Sequence, residues 1–286
     1  MKLLEILKKE METPTPFGWF HLMMFILVII TTVLFCVFFK DAKDKTFRKI
    51  IFITWIIFLV FELYKELTYV LEYEFDETGK LLDVRYLWYA FPYQFCSTPF
   101  YILPLIAFLP NGKVRDALMA YTTSFILFAG VAVMIIPGDV FVRQIGINIQ
   151  TMVHHGLQVV LGVYVAVYNR KRYQGKFKDI LNWYWPGLVV FACMASIAII
   201  LNEVMFASGI LNGQTFNMFF ISRHFSVTLP ILSSFANDIP YMAYLLIYLF
   251  GFALVAAIMI TLEWVFIVPF QKLLNKLPTR KKCVII

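Results

Sequence analysis

The chain has 286 residues, of which 61% are hydrophobic and 15% charged, and its formal net charge is +7. Soluble domains average roughly 45–50% apolar and about 25% charged residues, so this composition excludes an ordinary soluble domain and indicates an integral membrane protein. The basic excess lies in a few loops beside apolar segments. It therefore indicates membrane topology and contact with the lipid bilayer, and not nucleic acid binding.

The first fifteen residues precede the apolar region. The run MKLLEILKKEM mixes Leu and Ile with Lys and Glu, a pattern that predicts an amphipathic helix at the membrane interface. No short apolar core with a small-residue cleavage site follows, so we expect no cleaved signal peptide. We therefore expect an amphipathic segment over residues 1–15, a single transmembrane domain over 16–270 and a basic cytoplasmic tail over 271–286.

Seven segments reach the roughly 20 apolar residues that a membrane-spanning helix needs. They are 17–39, 50–72, 87–109, 116–136, 144–168, 181–203 and 241–270. We therefore predict an all-α protein, a polytopic membrane helical bundle of about seven transmembrane helices. Most Lys and Arg residues fall in loops 40–49 and 169–180 and in the tail, which predicts a multi-pass cell membrane protein with its N-terminus outside and its C-terminus in the cytoplasm.

Two segments depart from a plain spanning pattern. Segment 204–240 is apolar but contains Arg223, His224 and Pro230, and an eighth span there would place the basic tail outside. We expect a re-entrant or interfacial segment covered by protein or water. The third span contains FPYQFCSTPFYILP, which predicts a kinked helix in which Pro99 frees the carbonyl group of Phe95.

Polar side chains inside the spans indicate where chemistry would occur. Each charged group in hydrocarbon costs a few kcal/mol, so such groups pair with each other or serve a pocket. The set comprises Glu62, Lys65, Glu66, Gln94, Cys96, His154, His155, Gln158, Asn202 and Glu203. At about 1.5 Å of rise per residue, Cys96 and the histidines fall near the midplane. We expect the set to meet in a cavity open to the outer side.

A thiol becomes a nucleophile when a neighbouring imidazole stabilises the thiolate. We expect Cys96 to pair with His155 or His154, with Glu62 or Glu66 orienting the ring. Adjacent histidines point about 100° apart on a helix, so we expect only one to face a given partner. The candidate substrate-binding residues are Lys65, Gln94, Gln158, Asn202 and Asn217, of which Gln94 or Asn217 would donate to an oxyanion.

Plainer interpretations stay open for these residues. Cys96 is equally typical of a small buried hydrophobe, and the Glu–Lys cluster of an ion pair that supports the fold. The histidines with Cys96 or a glutamate supply enough ligands for zinc. No HExxH or paired-cysteine spacing accompanies them, so we expect no metal and no cofactor.

The order of several short motifs resembles the YwaF-type integral membrane protein family over roughly residues 50–260. These motifs are Pro92 to Cys96, Pro137, His155-Gly156 through Tyr164, Phe216 to Phe220, and Pro240-Tyr241. A eukaryotic relative of that family is similar to an acyltransferase of ether phospholipids that uses a Cys and a His. The resemblance implies His155 as the histidine. The cysteine of that pattern directly follows the proline, where this chain has Tyr93, and Cys96 lies three positions further on.

Two functions fit these observations. The first is transfer or hydrolysis of acyl groups, with a membrane lipid or another hydrophobic small molecule as the partner. The second is a membrane transporter or an ion- or solute-binding protein that uses a Glu/Lys/His relay. The sequence has no Walker motif or dinucleotide fingerprint, which disfavours nucleotide chemistry.

Overall fold

The computed structural model of the chain describes residues 6–137, 140–229 and 231–276, with side chains through residue 269. Its helices are α1 (Trp19–Phe39), α2 (Asp44–Lys65), α3 (Pro99–Phe108), α4 (Lys113–Tyr121), α5 (Leu127–Ile135), α6 (Ile145–Tyr168), α7 (Phe177–Ala207) and α8 (Tyr241–Lys276). The predicted helical membrane bundle is confirmed. The one addition is a two-stranded antiparallel hairpin in the described part of the chain.

Within the described residues, five helices are long and apolar enough to cross a membrane. They are Trp19–Phe39, Lys113–Ile135, Ile145–Tyr168, Phe177–Ala207 and Tyr241–Pro269. The second of these joins α4 and α5 through a π-helical turn at Thr122–Ile126. These five correspond to the first, fourth, fifth, sixth and seventh predicted spans.

The second predicted span is shifted along the chain. Helix α2 begins at Asp44 and passes into a π-helical turn at Glu66–Val70. Strands β1 (Leu71–Phe75) and β2 (Leu81–Tyr86) follow and pair antiparallel. Alternating apolar and charged residues and a turn at Gly79 with φ of 81° account for this hairpin. The same alternation was the signal that our sequence prediction overlooked.

The third predicted span is not a continuous helix. Short 3₁₀ turns cover Trp88–Ala90 and Phe95–Ser97, and α3 begins only at Pro99. Ten residues of helix extend about 15 Å, which is half of a bilayer core. Proline at the first helical position starts a helix because the missing N–H is not needed there. The predicted kink is therefore wrong, and the Phe95 carbonyl accepts a hydrogen bond of 3.0 Å from the Thr98 hydroxyl.

Helix α6 lies at the centre of the bundle and packs against α1 and α5. The backbones approach closely at two glycines. A Cβ atom on Gly156 of α6 would lie 2.4 Å from Val28 of α1, and one on Gly130 of α5 would lie 2.6 Å from the carbonyl oxygen of His155. Small residues permit such close helix packing in membranes. The glycines thus fix the position of the histidine-bearing turn of α6.

One end of the bundle, here called the basic end, collects the basic loops. The guanidinium group of Arg170 donates to the carbonyl group of Lys40 at 2.5 Å, and Arg48 donates to that of Leu109 at 2.5 Å. Arg172 forms an ion pair with Asp116. These contacts join the loops after α1, α3 and α6, as the predicted alternation of segments requires. The direction of the bundle in the membrane stays a prediction.

The opposite end, here called the hairpin end, contains the hairpin, the loop before α6 and the N-terminal segment. The predicted amphipathic helix is wrong for the residues after Lys8, which run extended. Met11 N donates to the Arg143 carbonyl at 2.8 Å, and Ile145 N donates to the Lys9 carbonyl at 3.0 Å. Pairing with a neighbouring segment replaces helix there. Residues 1–5 and the tail residues 277–286 lie outside the described residues.

Segment 208–240 also lies at the hairpin end and contains short 3₁₀ turns at Met218–Phe220 and Leu232–Ser234. The side chains of Phe216, Met218 and Phe219 are fully buried. Irregular backbone of this kind is tolerated at membrane depth where protein covers it. Residues 204–207 of the predicted segment 204–240 belong to α7, and the re-entrant or interfacial placement of the segment stays a prediction.

Candidate functional site

A cavity of about 760 Å³ opens among the segments of the hairpin end. Seven of the residues singled out from the sequence line it: Glu62, Lys65, Gln94, Cys96, His154, His155 and Asn217. They come from α2, the turn before α3, α6 and the segment after α7. The fold therefore brings residues that are far apart in sequence to one chamber.

The thiol of Cys96 lies beside both histidines. Its Sγ atom and one ring nitrogen of each of His154 and His155 lie within 4.8 Å of one another. The two imidazole rings are 5.1 Å apart at their centroids and nearly perpendicular. The expectation that only one histidine could face Cys96 is wrong, because the sulfur and the backbone of the same residue present two separate contact points.

Backbone geometry determines the protonation pattern of His155. Its Nδ1 atom lies 2.8 Å from the carbonyl oxygen of Thr151, one turn earlier in α6. A carbonyl oxygen only accepts, so Nδ1 must carry the proton and donate it. The neutral ring then has its lone pair on Nε2. This atom is the one available to accept a proton from a thiol.

His154 has the opposite tautomer. Its Nε2 atom donates to the carbonyl oxygen of Cys96 at 3.0 Å, which leaves the lone pair on Nδ1. The Nδ1 atom is buried and has no hydrogen-bond partner among the described residues. The rings of Phe58 and Phe100 pack against the imidazole at centroid distances of 4.9 and 5.7 Å.

The turn that carries Cys96 is fixed from two sides. The Cys96 carbonyl accepts a second hydrogen bond, of 2.5 Å, from the side-chain amide of Gln158. Cys96 also sits in the 3₁₀ turn that leads directly into α3.

The acidic residues do not orient the imidazoles as the sequence analysis expected. Glu62 pairs with Lys65 at 2.7 Å, and their side chains are 10% and 20% exposed. Glu66 accepts a hydrogen bond of 3.4 Å from the Tyr86 hydroxyl. It lies outside the cavity lining formed by the described residues because α2 changes to a π-helical turn at this residue. Backbone carbonyl groups orient both histidines instead.

Three of the candidate substrate-binding amides hold the segment after α7. Gln94 donates to the Asn217 carbonyl at 3.1 Å and accepts from the Phe219 amide at 3.1 Å. Asn202 bonds both backbone groups of Met218, at 2.8 and 3.0 Å. Asn217 accepts from Ser222 N at 2.9 Å. Their observed contacts are to backbone groups, and Asn202 lies behind the cavity wall.

This network supports strained backbone. Phe219 and Phe220 have φ values of 57° and 59°, in the left-handed region that non-glycine residues rarely occupy. Strain of this kind persists only where surrounding contacts fix it, and it clusters at functional sites.

Glu203, at the end of α7, instead pairs on the surface with Arg223 at 2.7 Å and His224 at 3.1 Å.

Sequence reasoning missed several residues of the site. The cavity is also lined by Tyr69, Arg85, Tyr89, Gln150, Thr151 and Gln214. Tyr69 and Tyr89 are hydrogen-bonded through their hydroxyl groups at 3.2 Å, and Arg85 pairs with Glu72 across the hairpin. Recognition of the hairpin would have indicated Tyr69, Arg85 and Tyr89, because these residues lie on its strands or directly beside them.

A known protein family matches most of this chain. The profile of the TMEM164 family, a family of membrane proteins, matches residues 16–264. The chain belongs to the TMEM164 family. The match spans α1 through most of α8 and includes every residue of the cavity. No curated protein and no solved structure matches this TMEM164-family chain.

Proposed function

We propose that this TMEM164-family protein transfers or hydrolyses acyl groups of membrane lipids, with Cys96 as the nucleophile and His155 as the base. The observation that carries the proposal is the tautomer of His155. Its Nδ1–H is held by the Thr151 carbonyl, so Nε2 is a proton acceptor in a cluster that places the Cys96 sulfur within 4.8 Å. A thiol beside an imidazole that can accept its proton supplies the nucleophile and the base that covalent acyl transfer requires.

The first half of the reaction forms an acyl-enzyme. His155 Nε2 accepts the thiol proton, and the Cys96 thiolate attacks the carbonyl carbon of an acyl ester. A carbon–sulfur bond forms and the ester carbon–oxygen bond breaks. The imidazolium then returns its proton to the leaving alkoxide, which departs as the deacylated lipid.

The second half regenerates the thiol. An acceptor hydroxyl group attacks the thioester while His155 accepts its proton, and the new carbon–oxygen bond replaces the carbon–sulfur bond. The imidazolium proton then returns to the Cys96 thiolate. Water as the acceptor gives hydrolysis, and a lipid hydroxyl gives transfer.

The shape and lining of the cavity agree with an amphiphilic substrate. A volume of about 760 Å³ lies within the range of roughly 300–1,000 Å³ typical of small-molecule sites. The lining contains aromatic rings such as Tyr69 and Phe91 together with the cationic side chains of Lys65 and Arg85. Apolar surface suits an acyl chain, and the cationic side chains suit an anionic headgroup.

Transport by a Glu/Lys/His relay has weaker support. Phe58 and Phe100 pack against His154. Phe125 stacks with Tyr121 and with Phe191 in the core. This aromatic packing leaves the relay residues connected to the hairpin end through the cavity, whereas alternating access requires an opening toward each side.

Labelling of the purified protein tests the proposal. Detergent-solubilised protein is incubated with a phospholipid whose acyl chain carries an alkyne tag. We expect a tag on Cys96 that neutral hydroxylamine removes, since hydroxylamine cleaves thioesters. Cys96→Ala should abolish the label, and labelling that persists at another residue rejects the assignment.

Cys193→Ala is the matched control because Cys193 is exposed on α7, away from the cavity. It should label as the wild type does. Lipid profiles of a deletion strain and a His155→Ala strain give a second readout. Matching changes in the two strains support enzymatic acyl transfer, and unchanged lipids in both contradict it.

A further inference from the structure

We propose that Cys96, His154 and His155 form a binding site for a thiophilic d¹⁰ cation, represented by Zn²⁺, and that the bound ion blocks acylation of Cys96. The metal site follows from the geometry of these three side chains alone. Only the blocking effect rests on the proposed function.

The three donors have the correct chemistry for this class of ion. Thiolate and imidazole ligands together select zinc and other soft or borderline cations. The donor atoms lie within 4.8 Å of one another. Ligand atoms around a tetrahedral zinc are separated by roughly 3.4 Å, as follows from bond lengths of about 2.0–2.3 Å. Side-chain rotations that bring the donors up to about 1.4 Å closer would reach this separation.

The outer contacts of both histidines match those of metal ligands. A metal-bound histidine almost always donates its other ring N–H to a carbonyl or carboxylate group. His155 does so through Nδ1 to Thr151, and His154 through Nε2 to the Cys96 carbonyl. Each ring therefore keeps one unprotonated nitrogen while its other nitrogen donates to a carbonyl group.

The lone pair of His154 provides an independent sign of a missing ligand. Its Nδ1 atom is buried without a partner among the described residues, and the residue is only 5% exposed. Buried polar atoms of this kind are rare and require an explanation. His21 is a contrasting buried histidine, because its Nδ1 accepts from Phe17 N at 2.9 Å and its Nε2 lies 2.9 Å from the Met134 carbonyl.

Metal binding and acylation compete for the Cys96 sulfur and for the free ring nitrogen of His155. The ion replaces the thiol proton, which is released to solvent, and a metal–sulfur bond forms. The metal then occupies the lone pair of His155 that would accept a proton, and it lowers the nucleophilicity of the bound Cys96 thiolate. Thiophilic cations should consequently inhibit the proposed reaction, and a chelator should restore it.

The first experiment measures binding without any activity. Purified full-length protein in detergent is titrated with Co²⁺, a coloured substitute for Zn²⁺, and the sulfur-to-cobalt charge-transfer absorption is recorded. We expect one equivalent to bind, with the band removed by added Zn²⁺. Cys96→Ser should remove the band, and His154→Ala or His155→Ala should weaken binding by more than tenfold.

Two controls keep the result interpretable. Cys193→Ser and His21→Gln change a cysteine and a histidine outside the cluster, and both should bind Co²⁺ as the wild type does. Cys96→Ser differs from the native residue by a single atom, so it tests the ligand with the fold preserved. Equal cobalt affinity in wild type and Cys96→Ser, or no binding at all, overturns the metal site.

The second experiment separates this inference from the proposed function. The tagged phospholipid is applied with and without Zn²⁺, and chelator is then added. Loss and recovery of the label support blocking, and labelling that is unaffected by saturating Zn²⁺ overturns it. A protein that binds Co²⁺ through the cluster but is never acylated contradicts the proposed function and leaves the metal site standing.

Discussion

Gln158 donates a hydrogen bond of 2.5 Å to the carbonyl oxygen of Cys96. The two residues belong to different segments, and Gln158 is fully buried in α6. The contact therefore ties the turn before α3 to the helix that carries both histidines. Gln158 does not line the cavity as the described residues form it, and its role is to position the thiol. His154 gives the same carbonyl its second hydrogen bond.

Gln158→Leu tests this positioning role. We expect the protein to lose about 1–3 kcal/mol of stability, because the buried Cys96 carbonyl then has one hydrogen bond fewer. The rate of acyl labelling at Cys96 should fall more than stability alone explains, since the turn loses one anchor. Thermal unfolding and labelling time courses measure the two effects. Gln174→Leu, at an exposed position of the basic end, serves as the control and should change neither.

The two histidines should behave differently on substitution. His155→Ala removes the proposed base and should reduce labelling by at least about 10²-fold, the lower range for general base catalysis. His154→Ala removes only the second anchor of the Cys96 carbonyl and should reduce labelling by a smaller factor. Initial labelling rates at one saturating lipid concentration give the comparison. The opposite order of effects would assign the base to His154.

Glu62 and Lys65 form a largely enclosed ion pair. Lys65→Met should destabilise the protein by about 3–5 kcal/mol because the Glu62 carboxylate stays behind without its partner. The double substitution Lys65→Met with Glu62→Leu should recover most of this loss. The exposed hairpin pair of Arg85 and Glu72 provides the contrast, and Arg85→Met should change stability by about 0–1 kcal/mol. Thermal unfolding of the wild type and the three variants decides, and a double variant no more stable than Lys65→Met would contradict the pairing.

Gly130→Ala should displace the turn of α6 that carries His154 and His155, because Gly130 of α5 packs directly against it. The added methyl group would lie 2.6 Å from the His155 carbonyl oxygen and 2.8 Å from Gln158 Cβ, so α5 and α6 must separate. We expect a loss of about 1–3 kcal/mol, in the range for overpacked cores, together with slower labelling. Gly251→Ala in α8 meets no atom within 4 Å and should be neutral. Equal melting temperatures for the two variants would show that the helices separate without strain.

The hairpin should loosen in acid. Hydrogen bonds from the Thr78 hydroxyl and the Lys80 amide hold the pKa of Asp76 below its ordinary value of 3.8. Because the folded pKa is the lower one, the stabilisation is complete above pH 3.8 and is lost as the pH falls through the folded value. Hydrogen exchange over residues 71–86, corrected for intrinsic rates, should show the change. Asp76→Asn should weaken protection at neutral pH, whereas Asp83→Asn, outside the turn, should not.

Much of the membrane architecture was readable from the sequence. Apolar run length is a local property, so the segments that became α1, α6, α7 and α8 were located to within a few residues. The hairpin after α2 and the broken third span were missed. In both places a short-range signal, the alternation around Gly79 and the proline at position 99, competed with a strong hydropathy signal and was overlooked.

The sequence by itself determined that polar groups must gather inside an apolar bundle, because isolated charges in hydrocarbon are too costly to keep. It could not determine which atoms meet. The tautomers of His154 and His155 depend on the carbonyl groups of Cys96 and Thr151. Every residue type has a backbone carbonyl group, so the sequence does not reveal which one a histidine contacts. Only the tertiary structure, which joins the turn before α3 to the middle of α6, decided that one thiol would lie between two imidazoles with opposite protonation patterns.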